Sequence, residues 1–296
     1  MSDTTMVRDE WLPCPLCQAP GRPCLVKGTY HILDCPRCGH RYLGNPLPPD
    51  HVDQVYDDSY FSGGGAGYAD YLAEAELLRQ HSQRYTRLMS RHRPQPGRVL
   101  DVGSAAGFLL QGFIKAGWNG CGIEPNDRMA EHARTQLNLD VRTGTLESVT
   151  LTETVDLVSF IQVLAHIPDP ARVLRIADQW TKPGGYWLIE TWNCQSLTAR
   201  LWGDQWHEYS PPSVIHWWNP TTLRGFLRSL GYRPVASGIP QKWLAAGHAK
   251  SLLQHKAAEG GLAKLLAGAA ALIPERLALP YPSEDLFWIL VQKSGT

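Results

Sequence analysis

A long apolar run is missing from this sequence. Its most apolar late stretch, GLAKLLAGAAALI, is interrupted by Lys264 and is too short to span a bilayer. An apolar leader segment is missing as well. The opening residues MSDTTMVRDEW are polar, so no secretion signal is expected. Net charge is the third absence: 28 Lys and Arg balance 28 Asp and Glu, with no basic cluster. A nucleic-acid footprint needs a basic face, so none is expected. These absences predict a cytoplasmic protein with reduced thiols and no membrane partner. What is present is ordinary for a globular chain: 296 residues, 43% hydrophobic and 19% charged, enough for a large domain and a small module.

The seven cysteines are not scattered. Cys14-Pro-Leu-Cys17 and Cys35-Pro-Arg-Cys38 form two C-x-x-C pairs with seventeen residues between them. Reduced pairs at this spacing predict a tetrahedral zinc site, and Gly39 suits the turn after the second pair. Cys24 has no partner at the right spacing. His31 and His40 are further possible ligands, but four cysteines fill the shell. A closed four-thiolate site leaves no position for chemistry, so the expected zinc is structural.

The stretch GNPLPPD at 44–50 breaks the chain after this module. The expected organisation is therefore a zinc-ribbon module over 1–48, a linker and helical cap over 49–96, and an α/β domain over 97–296. Residues 69–93 show a helical period through Tyr71, Ala75, Leu78, Tyr85, Leu88 and Met89. From Arg98 onward, short apolar strands alternate with amphipathic helices, beginning with RVLDVG and FLLQGFIKAG and closing on EDLFWILVQK. This alternation predicts a parallel, doubly wound sheet with its ligand at the carboxyl ends of the strands. Six of the eleven tryptophans lie between Trp187 and Trp218. That concentration predicts a lid over about 191–219, its aromatics either walling a pocket or packing the lid onto the sheet. Residues of about 241–279 read as a helical insertion that caps the pocket or forms the face of a homodimer.

The turn VLDVGSAAGFLL carries Gly103 and Gly107 in a Gly-x-x-x-Gly spacing that departs from the dinucleotide fingerprint. Glu124 ends the next strand, twenty-one residues on, where an acid suits two ribose hydroxyls. VDLVSFIQVLAHIPDP then precedes LRIADQWTKPGGYWLIET. Turn, acid, HIPDP and KPGG in this order resemble class I S-adenosylmethionine-dependent methyltransferases over about 98–235. The cysteine ribbon followed by a YDDSYF segment is similar to the subgroup with an N-terminal zinc-ribbon extension. Two positions depart from the family pattern: Ser104-Ala105-Ala106 stands for a Cys-Gly-Thr-like turn, and Ala165 stands for a glutamate before His166.

The resemblance implies a Rossmann-like fold, S-adenosylmethionine as cofactor, and a small-molecule O, N or C nucleophile as acceptor. It also implies roles. Gly103, Ser104 and Gly107 let the backbone pass the methionine part, and Asp101 supports that turn. Glu124 grips the ribose, and Thr145 and Leu146 lie beside adenine. Gln162 either faces the amino-acid moiety or is a strand-end residue in solvent. The candidate bases are His216, His207 and His166, with Tyr60, Glu208 and Tyr209 behind them; each histidine also has a purely structural reading. Tyr56, Tyr60 and Phe61 either close over the cofactor or pack on the sheet. Two other classes stay open: a methyltransferase of protein or RNA that uses the ribbon for recognition, and a non-catalytic interaction module. A dehydrogenase is a third.

Overall fold

The computed structural model describes residues 11–63, 68, 70–245, 278–281 and 284–295. The chain divides into two compact units, Met1–Gly238 with Asp285–Thr296, and Ile239–Glu284. The first unit opens with three short strands, β1 (Arg22–Lys27), β2 (Tyr30–Asp34) and β3 (Arg41–Leu43). Helices α1 (His51–Val55), α2 (Asp58–Ser62) and α3 (Ala75–His92) follow. Helix α3 buries Ser82, Tyr85 and Met89, one stripe of its surface, as helical spacing dictates.

The alternating region folds as its periodicity predicts. It runs β4 (Arg98–Val102), α4 (Phe108–Lys115), β5 (Asn119–Glu124), α5 (Asp127–Leu137), β6 (Val141–Thr143), β7 (Val155–Ile161), α6 (Pro170–Trp180) and β8 (Thr181–Trp192). Short polar side chains start the helices: Asn126 accepts from the Met129 amide and Asp169 from the Arg172 amide, each at 2.9 Å. Pro170 follows its cap at the first helical position, where no N–H is needed. After β8 come α7 (Leu197–Trp202), β9 (His216–Trp217), α8 (Pro220–Ser229) and β10 (Tyr232–Gly238), and the unit closes with β13 (Leu286–Lys293). No described helix is long and apolar enough to cross a membrane.

Seven strands form the central sheet in the order β10-β13-β8-β7-β4-β5-β6. The neighbours from β8 to β6 pair in parallel. Strand β13 runs antiparallel to both β8 and β10, so the sheet is mixed rather than wholly parallel. Its run from Leu286 to Val291 is almost entirely buried, which fits a strand paired on both sides. Apolar layers cover both faces, one around Trp187, Phe160 and Leu223, the other around Tyr85, Phe113 and Leu188.

The cysteine module is not a free-standing domain. Its sheet has the order β1-β2-β3-β9, and β9 belongs to the segment after β8. Arg41 pairs with Trp217 and Tyr42 with His216. The tryptophan-rich stretch supplies this docking, in keeping with the packing reading of its aromatics. Trp206 and Trp217 are buried with Ile32 and Leu43 of the ribbon. Trp217 donates its indole N–H to the Glu208 carbonyl, which satisfies that buried donor. In the second unit, β11 (Lys242–Ala245) and β12 (Ala278–Tyr281) pair antiparallel. The ends of the stretch expected to be helical are thus strands; its residues 246–277 lie outside the described residues.

Candidate active site

Strand β4 ends at the glycine turn. Gly103 has φ +68°, and a Cβ there would fall 2.5 Å from Val163 Cγ2. Gly107 has φ +82° and caps the start of α4, and a Cβ there would fall 2.8 Å from Leu139 Cδ1. Only glycine fits both demands. The turn's amides are largely spent inside the protein: Gly103 and Ser104 donate to the Ile123 carbonyl, and Ala105 donates to Glu124 Oε2 at 2.8 Å.

Glu124 is buried at the end of β5, and its Oε1 accepts from the Asn126 amide at 2.9 Å. Burial pushes its pKa up to about 7, and the amides of Asn126 and Ala105 oppose that rise. Each oxygen holds one amide and keeps a lone pair in reserve. Asp101 is buried behind the turn, with Oδ1 accepting from Ser159 Oγ at 2.6 Å and Oδ2 without a partner. Burial raises its pKa to about 7; the Ser159 bond opposes that, and nearby Glu124 adds to it.

Gln162 follows β7 with φ +59°, a left-handed conformation rare for a residue with a side chain. Its amide Nε2 donates to Glu190 Oε1 at 2.8 Å, which leaves its own carbonyl oxygen to accept. Buried Glu190 also accepts the Tyr85 hydroxyl and faces Arg84 at 3.4 Å. Glu190 does not line the cavity but holds Gln162 from behind, a role not expected from the sequence. The signal was a lone carboxylate inside the apolar strand WLIET.

These elements enclose a cavity of about 570 Å³. Val102, Gly103, Glu124, Thr145, Leu146 and Gln162 line one side, and Tyr56, Tyr60, Phe61, His166 and Arg172 are among the residues lining the rest. Asp101, Ser104 and Gly107 are not lining residues; they shape the turn from behind. The long segment 191–219 contributes none, so the aromatic wall comes from residues 56–71 instead.

The three candidate bases separate sharply. His166 lines the cavity. Its Nδ1 lies 2.9 Å from the Ser213 carbonyl oxygen, which can only accept, so Nδ1 carries the proton. In the neutral ring Nε2 is then the acceptor. Tyr56 donates its hydroxyl to the same carbonyl at 2.7 Å and meets His166 edge to face, with centroids 5.6 Å apart. Burial lowers the His166 pKa, the Ser213 bond opposes that, and His51 nearby lowers it further. The ring is thus neutral near pH 7. His216 is buried away from the cavity, and its Nδ1 lies 3.1 Å from His40 Nε2. Burial pushes its pKa down to about 4, so it is a neutral packing residue between ribbon and sheet. His207 is 51% exposed and sits beside Glu208 at 3.3 Å, also outside the lining.

The four predicted metal ligands converge. The sulfur atoms of Cys14, Cys17, Cys35 and Cys38 all lie within 4.8 Å of one another, with Cys14–Cys38 at 3.5 Å and Cys17–Cys35 at 3.4 Å. A zinc–sulfur tetrahedron with bonds of about 2.3 Å has edges of about 3.8 Å, so the donor set fits the ion. Metal-free, burial pushes the Cys14 thiol well up, a cost that a bound cation offsets.

A family described as a methyltransferase domain matches residues 72–237. A ubiquinone biosynthesis O-methyltransferase of Paramagnetospirillum magneticum is 30% identical over 172 residues, 53% of this chain and 68% of the relative. Another bearing the same name, from Hydrogenovibrio crunogenus, is 32% identical over 102 residues, 32% of this chain and 42% of the relative. The fold is shared with solved structures. The magnesium protoporphyrin IX methyltransferase of Synechocystis has a TM-score of 0.52 at 12% identity, over 82% of this chain and all of that one. The 1,6-didemethyltoxoflavin-N1-methyltransferase of Burkholderia thailandensis has 0.51 at 15% identity, over 92% and 99%.

Proposed function

The chain belongs to the methyltransferase-domain family and is an S-adenosylmethionine-dependent enzyme; from that premise we propose that it methylates a hydroxyl oxygen of a small molecule, with His166 as general base. The observation that carries this reading is the anchored imidazole. The Ser213 carbonyl holds the proton on Nδ1, so an accepting Nε2 is left on the ring that lines the cavity. An oxygen acceptor is supported by the names of the relatives, which are O-methyltransferases.

S-adenosylmethionine supplies a methyl already activated on a sulfonium, so the protein need not create an electrophile. What remains is positioning, exclusion of water and removal of one proton. The reserve lone pairs of Glu124 suit the two ribose hydroxyls, and Thr145 and Leu146 suit the adenine side. The Gln162 carbonyl oxygen, turned by Glu190, suits a donor such as the ammonium of the amino-acid moiety. Tyr56, Tyr60 and Phe61 cover the other side and exclude water. His166 Nε2, the accepting nitrogen on the ring that lines the cavity, would take the proton of a hydroxyl acceptor held there. We also assign one structural zinc to the four cysteines; a closed thiolate shell takes no part in the transfer.

The reading is tested with labelled cofactor against hydroxylated small molecules and extracts. Wild type should label an O-methyl product. His166→Gln should keep cofactor affinity and lose about 10²–10⁴ in turnover. A wild-type rate in that variant removes His166 from the mechanism.

A further inference from the structure

The loop after β7 carries the proposed base, and one other segment holds it from several sides. The Leu164 carbonyl accepts the Trp218 indole N–H at 3.1 Å. The Ala165 carbonyl accepts from the amides of Ile215 and His216 at 2.9 and 3.1 Å. His166 Nδ1 donates to the Ser213 carbonyl. Residues 213–218 thus hold three consecutive residues of the base loop. The same segment is a strand of the cysteine module. The Leu43 amide donates to the Ile215 carbonyl at 2.9 Å, and β3 pairs with β9. Two more bonds tie the second cysteine knuckle to the start of α8: Thr222 Oγ1 donates to the Cys38 carbonyl at 3.3 Å and Asn219 Nδ2 to the Gly39 carbonyl at 3.4 Å.

We propose that the four-cysteine ribbon is a positioning element for His166, acting through β3, β9 and the Ser213 carbonyl. The inference rests on the reading of His166 as base. It explains why the ribbon has no complete sheet of its own and why a long, tryptophan-rich segment that lines no part of the cavity is built so firmly. The residues proposed to hold the cofactor, Gly103, Glu124, Thr145, Leu146 and Gln162, lie outside this chain of contacts. Ribbon and cofactor binding should therefore separate.

The test uses the full-length chain in two forms. One is stripped of metal by a chelator; the other is Thr222→Val, which removes the hydroxyl bonded to Cys38 and leaves the cysteines and cavity intact. In both, S-adenosylmethionine affinity should stay within about twofold while kcat falls, by about tenfold to a hundredfold on metal removal and less in Thr222→Val, as misplacement of a reacting group demands. Imidazole nitrogen resonances, assigned with His166→Gln, should show His166 losing its fixed Nδ1–H tautomer. Unchanged kcat and tautomer in both forms overturn the proposal. So does Thr222→Val losing cofactor affinity in parallel with turnover, and if chelation unfolds the chain, Thr222→Val alone decides. Full activity in His166→Gln sinks the base assignment instead, whatever the ribbon does.

Discussion

Glu124 combines two properties that pull against each other. It is buried, which disfavours its charge, and it is held by two amides, which favour it. Burial wins, and its pKa rises from 4.5 to about 7. Ribose hydroxyls are donors, so they favour the ionised carboxylate. Cofactor affinity should therefore rise with pH through about 7 and level off above it. Glu124→Ala should weaken S-adenosylmethionine binding by about 1.5–3 kcal/mol, the scale of charge-assisted bonds lost from a buried site. Titration calorimetry from pH 5.5 to 8.5 checks both. Equal affinity across that range, or in the alanine variant, removes Glu124 from the cofactor site. At this scale the sequence was uneven. The placement of Glu124 and Gly103 at the cavity and the convergence of the four cysteines were legible, because residue type and spacing fix them. Of three histidines only His166 reached the cavity, because a side chain's aim depends on tertiary pairing: His216 is turned into the ribbon interface by β3.

The elements were more legible than their partners. Each strand and helix of the alternating region was readable from apolar period and cap, since these are local properties. The direction of β13 was not, because an apolar strand buried on both faces reads alike in either direction. For the segment after β8 two readings were open, a pocket wall or packing, and Trp206, Trp217 and Trp218 pack. Clustered tryptophans announce burial but not the surface that buries them, and here it is the ribbon. That docking would make a metal held by the four cysteines an element-scale support. Cys17→Ser should abolish stoichiometric zinc, one ion per chain in the wild type, and lower the temperature at which the ribbon unfolds, because binding and folding of such sites are coupled. Metal analysis with near-ultraviolet circular dichroism, which reports the packed tryptophans, checks this. Full zinc content in the variant would exclude Cys17 as a ligand.

Across the whole molecule, equal numbers of acids and bases leave no net repulsion to dominate the pH response, so a few buried groups can be seen. Asp101 and Glu124 both have folded pKa values raised to about 7, from 3.8 and 4.5. The folded state therefore holds their protons where the unfolded state has released them. Their contribution to stability is full below about pH 4 and is lost as pH rises toward 7. Asp156 works the other way. Its burial is outweighed by the Arg98 amide, Lys182 and Arg93, its pKa is lowered, and its contribution is lost in acid. The two trends separate by variant. In the ligand-free protein, buried histidines such as His166 and His216, their pKa values lowered, oppose the two carboxyls, so Glu124→Gln should tilt the melting temperature upward with pH between 5 and 8 relative to the wild type and leave the acid limb unchanged. Cofactor reverses the first trend, because a ligand that favours ionised Glu124 stabilises the folded state more where the proton is already gone. The gain follows RT ln(1 + [L]/Kd), about 2.7 kcal/mol at a hundredfold excess over Kd. At one fixed S-adenosylmethionine concentration, the rise in melting temperature should be larger at pH 8 than at pH 5.5 in the wild type and nearly equal at both in Glu124→Gln. A larger rise at pH 5.5 in the wild type would mean that the protonated carboxyl is the binding form, and the ribose contact at Glu124 would have to be abandoned.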